Sequence, residues 1–168
     1  MKKFAIIVSV ICAFLFTAMG IKSVSAAGVP SYCVLVATDY GMSDEISVLE
    51  KLNQKVPGDM ISPETTMNAV ANVVSGEKDI DELSTEEMQQ VAANLFCDYI
   101  IVLHVYNDTE YDENIHNVEC SVDIMNVGTG NEINHIGNIL VGKGESIADE
   151  NRDAMVQFID DMNPVSLK

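Results

Sequence analysis

Residues 97–106, CDYIIVLHVY, form the most apolar stretch of the chain beyond its first 21 residues, and polar and apolar positions do not alternate within it. Taken alone, a run of this length fits either a buried strand or part of a buried helix. Its flanks decide. Upstream, LSTEEMQQVAANLF (83–96) opens with Ser84 and Glu87 in capping-box spacing and with Leu83 and Met88 at the staple positions, so a helix ends near Phe96. The run that follows is then a strand over 98–106. Without alternation, both of its faces must be covered, which predicts an inner strand between helical layers.

The same signals punctuate the rest of the chain. YCVLVAT (32–38) reads as a first strand. A helix beginning near Ser43 follows, with Asp44 and Glu45 in its first turn, Ile46, Leu49 and Leu52 on one face, Lys51 and Lys55 near its end, and Pro57-Gly58 as the stop. A short strand at 59–61 leads to a second helix, capped by Ser62, with Pro63 at its first position and Gly76 at its end. After the central strand, NDTEYDEN (107–114) is a polar connection. Val118, Cys120, Val122 and Ile124 then alternate with polar residues, as in a strand buried on one face only. GTGNE (128–132) is a hairpin turn, INHIGNILVG (133–142) the returning strand, and Ile147, Asn151, Ala154, Met155, Phe158 and Met162 mark one stripe of a last helix that stops before Pro164. The order is β-α-β-α-α-β-β-β-α. It predicts a single α/β domain over 27–168 whose mixed sheet has a parallel β-α-β part and an antiparallel C-terminal meander, covered by about four helices.

Lys2 and Lys3 precede the apolar segment FAIIVSVICAFLFTAMGI, and SVSAAG follows it, the layout of a secretory signal peptide spanning 1–26 with cleavage after Ala26. A retained anchor helix of about 18 residues is the alternative. Cys12 follows Val10 and Ile11 inside the apolar run, where a lipoprotein signal would need small residues. Cleavage leaves 142 residues with six basic side chains against 26 acidic ones, a net charge of −20. Such a surface repels duplexes and anionic leaflets and favours cations, so the chain is expected neither to bind nucleic acid nor to remain in the membrane once cleaved. Cys33, Cys97 and Cys120 remain. They form either one bond plus a free thiol, with Cys33 and Cys97 as partners if their strands are neighbours, or three buried hydrophobic side chains.

The sequence of LFCDYIIVLHV after a helix, then CSVDIMNVGTGNEI, then VGKGESIADENRDAMVQFIDDM resembles the bacterial envelope domain shared by the curli-secretion protein CsgG, the penicillin-binding-protein activator LpoB and the amino-terminal domain of TolB. The resemblance covers essentially all of 32–163 and rests on short structural motifs. It implies an exported accessory or protein-docking module of the cell envelope that acts on an envelope protein partner by contact, without catalysis or cofactor. The lipid-bearing cysteine of the outer-membrane members and the insertion that builds membrane hairpins in channel-forming members are both absent, which disfavours a pore.

No catalytic, cofactor-binding or metal-binding residue is assigned from the residues alone. GNILVGKG (137–144) approaches the phosphate-loop pattern, but Gly144 stands where a magnesium-binding hydroxyl is required and NILV reads as strand. Asp108, Glu110 and Asp112 alternate as calcium ligands do, without the glycine that sharpens an EF-hand loop. A turn at 107–114 would set His104 opposite about Asn117 and His116 opposite about Val105, and the next hairpin would set His135 opposite about Ile124. His135 then lies about seven residues along the sheet from His104, roughly 20 Å or more at about 3.3 Å per residue. This register excludes three-histidine zinc and leaves His104 hydrogen-bonded in the sheet and His116 exposed. Any small ligand would sit at the carboxyl ends of the parallel strands, near Asp39, Tyr40, Tyr106 and Asn107, unless those residues only cap strands and start helices. The rival readings are a periplasmic small-molecule or calcium-binding protein, and an enzyme assembled from residues that are unremarkable singly.

Overall fold

The computed structural model describes residues 28–74, 78–108 and 116–167. The leader, Gly76, and Glu110 and Asp112 of the acidic loop lie outside the described residues. Five strands, β1 (Ser31–Thr38), β2 (Asp59–Met60), β3 (Tyr99–Asp108), β4 (Asn117–Asn126) and β5 (Asn131–Val141), form one sheet in the order β2-β1-β3-β4-β5. β1 pairs in parallel with β2 and β3, while β3, β4 and β5 run antiparallel to one another. The mixed sheet expected from the sequence is therefore present, with β3 at its centre.

Four α-helices cover it: α1 (Glu45–Lys55), α2 (Pro63–Val73), α3 (Thr85–Leu95) and α4 (Ile147–Asp161). α1 and α4 bring Val48, Leu49, Leu52, Met155, Phe158 and Ile159 onto one face, against Ile101, Leu103, Val122 and Ile124. α2 and α3 bring Ala69, Val70, Val91 and Ala92 onto the other, against Cys33, Leu35, Ile100 and Val102. Consecutive residues of β3 thus enter opposite cores, which is why its sequence shows no alternation. The second layer is short, however. It covers Ile100 and Val102 but leaves His104 and Tyr106 only partly buried, so the central strand is enclosed on both faces over its first half alone.

The local signals hold with their expected geometry. Ser84 accepts the Glu87 backbone N–H, the Glu87 carboxylate accepts the Ser84 N–H at 2.9 Å, and Leu83 and Met88 pack in the α2/α3 core. Lys78 joins the same carboxylate at 2.7 Å and, with the cap amides, holds its pKa down to about 2. Replacing Ser84 with alanine is expected to cost about 1 kcal/mol in chemical denaturation, the usual worth of such a cap. An unchanged midpoint would mean that packing alone holds the helix.

One apolar assignment is corrected. Ile46 is 67% exposed and Val48 is buried in its place. α1 begins at Glu45, contacts α4 and shares one core with the sheet, which turns the buried stripe away from Ile46. The near phosphate loop is explained too. Its first five residues lie in β5, and a Cβ on Gly144 would come within 2.7 Å of the Glu150 backbone nitrogen, so the glycine serves close packing onto α4.

Cys33 and Cys97 are buried and free, with sulfurs 3.7 Å apart, in the thiol form of the alternatives. The Cys97 hydrogen bond and burial push the Cys33 thiol well above its ordinary range. Burial, aided by the charge of Glu119, pushes the Cys120 thiol up to about 12. Cys33 and Cys120 are therefore unreactive core side chains in this state, whereas the hydrogen bond with Cys33 lowers the pKa of the Cys97 thiol.

Candidate functional site

On the α2/α3 side, β4 and β5 extend past the helices and expose a strip of sheet. His104 and Tyr106 from β3, Glu119, Ser121 and Asp123 from β4, and His135 from β5 all face this strip, because residues paired across strands share a face and the period along each strand is two. Asp123 is the hub. One of its oxygens accepts from His104 Nε2 at 2.9 Å and the other pairs with His135 Nδ1. Farther along, His104 Nδ1 lies 3.4 Å from the Tyr106 hydroxyl, which in turn donates to Asp81 at 3.3 Å.

This arrangement overturns the expected separation of the histidines. His104 pairs with Ser121 rather than Asn117, and His135 with Asp123 rather than Ile124. Among the described residues β3–β4 pairing runs on to Asp108 and Asn117, past the Asn107 at which a turn was expected, and the register moves by four residues. His104 and His135 consequently share a carboxylate instead of standing some 20 Å apart. His116, expected beside His104 and exposed, is instead partly buried on the opposite face, where its Nδ1 lies 2.8 Å from Glu150. The three histidines do not converge, as anticipated, but for a different reason.

β5 adds a further element. Between Ile124 and Met125 the β4–β5 register slips, so that Asn134 pairs with Ile124 and Glu132 with Met125, and Ile133 is left over. This bulge places Glu132 on the same face as His135, although three positions separate them. Strict alternation would put them on opposite faces. One ligand-type atom each of Asp123, Glu132 and His135 then lie within 4.8 Å of one another. The Asp123 hydrogen bond and charge raise the His135 pKa. Burial, with the charge of Asp81, raises that of Tyr106.

A second hollow, of about 450 Å³, opens at the carboxyl ends of β1 and β3 and is lined by Asp39, Tyr40, Tyr106 and Asn107 among others. These four residues stand at the carboxyl ends of the parallel strands, where any small ligand is expected. Two of them also do structural work. Asp39 accepts the Asn107 backbone N–H at 3.1 Å, and the Asn107 amide donates to Glu150 at 3.0 Å and to Asn151 at 3.2 Å. Asn151, fully buried on α4, donates to the Gly41 carbonyl at 2.8 Å and to the Thr38 hydroxyl at 3.3 Å. Capping and bracing therefore account for Asp39 and Asn107. Among the described residues that line this hollow and the exposed strip, none is a lysine or arginine. With Asp39, Asp108, Glu119, Asp123 and Glu132 on the lining, the region attracts positive charge.

These features define a class: an α/β domain with a mixed five-stranded sheet, helices on both faces and an antiparallel edge that is uncovered among the described residues. No protein-family model and no curated protein matches the chain. Solved structures do. Lipoprotein GNA1162 from Neisseria meningitidis is similar at 14% identity over 79% of this chain and 97% of that one, with a TM-score of 0.50. The LpoB C-terminal domain from Salmonella enterica is similar at 12% identity over 66% of this chain and 82% of that one, with a TM-score of 0.47. TolB from Acinetobacter baumannii matches at 10% identity over 80% of this chain and 29% of its own length, with a TM-score of 0.40. The likeness to GNA1162 shows a shared fold, and that fold is the mixed-sheet α/β domain that the sequence predicted. No helix among the described residues is long and apolar enough to cross a membrane.

Proposed function

We propose that this protein is an exported accessory module of a bacterial cell envelope that docks onto another envelope protein and acts by contact rather than by turnover. The leader-like amino terminus and the fold shared with envelope lipoprotein GNA1162 support the setting. The observation that carries the docking itself is β5. The other edge strand, β2, is two residues long, as protected sheet edges tend to be. β5 runs for eleven residues with no strand on its outer side among the described residues, and it exposes Ile133, Ile139 and Val141. A long edge with apolar side chains is suited to receive an extended segment of a partner, which supplies main-chain hydrogen bonds along the edge and pockets for alternate side chains.

A photo-crosslinking residue in place of Ile139 is expected to yield one adduct of defined mass in intact envelopes. The same residue in place of Met67, which is exposed on α2, is expected to yield none. Equal yields at both positions, or no adduct at Ile139, would remove the docking reading.

A further inference from the structure

We infer that Asp123, Glu132 and His135 form a binding site for a first-row divalent ion of the zinc type, with His104 holding Asp123 in place. Four features of the fold lead to this. The ligand-type atoms of the three residues lie within 4.8 Å of one another, and they come from two adjacent strands of a hydrogen-bonded sheet rather than from a loop. The bulge at Ile133 is what brings Glu132 onto the His135 side, and bulges are a recurrent device for re-aiming side chains at functional sites. His104 occupies the Asp123 oxygen that His135 does not, the outer contact that orients a ligating carboxylate. Finally, Asp123 and Glu132 set two negative charges side by side, and no lysine or arginine lines the adjoining hollows among the described residues. A divalent ion would neutralise that repulsion.

Ligand chemistry selects the ion. One imidazole nitrogen and two carboxylates are a three-ligand set of the kind zinc takes while a fourth position stays open to solvent. Calcium asks for six to eight oxygen ligands, and magnesium for an octahedron of oxygens that keeps several waters. Ligand atoms around a tetrahedral zinc stand roughly 3.3 Å apart. Binding therefore replaces the direct His135–Asp123 hydrogen bond, whose proton leaves to solvent, with one bond from each residue to the ion, while Glu132 closes in; the Glu132 and His135 side chains are both exposed and free to turn.

Titration of the purified, chelator-stripped protein with Zn²⁺ tests the site. One ion per chain is expected to bind and raise the thermal midpoint. His135→Ala and Glu132→Gln are each expected to weaken binding by about tenfold or more, while His116→Ala leaves it unchanged. Both altered residues are exposed and His135→Ala removes only a surface ion pair, so the metal-free midpoint of each variant should stay close to that of the parent and report intact folding. Ca²⁺ and Mg²⁺ at higher concentration are expected to give no shift. Failure to bind Zn²⁺, binding that survives both substitutions, or an equal response to Ca²⁺ would overturn the assignment.

Discussion

Replacing Ile101 with alanine is expected to destabilise the folded chain by about 2–5 kcal/mol, a large share of the stability of a domain this size. Ile101 is fully buried at the middle of the central strand, paired with Val34 of β1 on one side and Ile124 of β4 on the other. Its side chain enters the α1/α4 core together with Leu52, Met155 and Ile159. Neighbours held by strands on both sides and by two helices cannot collapse into the space left, so the loss includes a cavity as well as the transfer of the side chain. Ile139→Ala is the control. That residue is 65% exposed on β5, and its replacement should change stability by no more than about 0.5 kcal/mol. Urea unfolding of both variants checks the pair through the transition midpoint at constant slope. Comparable losses would show that β5 is covered in solution and that the sheet is not organised around β3.

The second large effect concerns Asn151, which is expected to cost about 1–3 kcal/mol when changed to alanine and no less when changed to leucine. In the sequence it falls on the apolar stripe of the last helix, and a purely apolar position would accept leucine with little loss or some gain. In the fold it is fully buried, and its side-chain amide bonds the Gly41 carbonyl, the Thr38 hydroxyl and the Asn107 amide, tying α4 to the carboxyl ends of β1 and β3. Leucine restores volume but takes the acceptor from the buried Asn107 amide and the donor from the Gly41 carbonyl and the partly buried Thr38 hydroxyl. Equal stability of the leucine variant and the parent would make the polar network dispensable. A coupled loss in an Asn107→Ala, Asn151→Ala double-mutant cycle would show that the two amides act as a unit.

Elements were legible wherever they depended on residues a few positions apart. The capping box of α3, Pro63 at the first turn of α2, the alternation in β4 and the glycine turn before β5 all stand where periodicity and caps put them. Ile46 was misplaced because the face a helix buries depends on the partner it meets as well as on its own spacing. The histidines were misplaced for a longer-range reason. Pairing that runs two residues further along β3 and begins two residues later on β4 than expected shifts every cross-strand pair by four, and nothing local in NDTEYDEN states where pairing stops.

What the amino-acid order determined unaided was the list of strands and helices, the two-sided cover over the start of β3 and the strongly acidic surface, since these follow from near-neighbour patterning and composition. Only the tertiary structure decided that His104 and His135 meet at Asp123 and that Glu132 joins them. Those meetings depend on strand register and on one unpaired residue at Ile133, quantities set by how separate segments pair rather than by the residues beside each histidine.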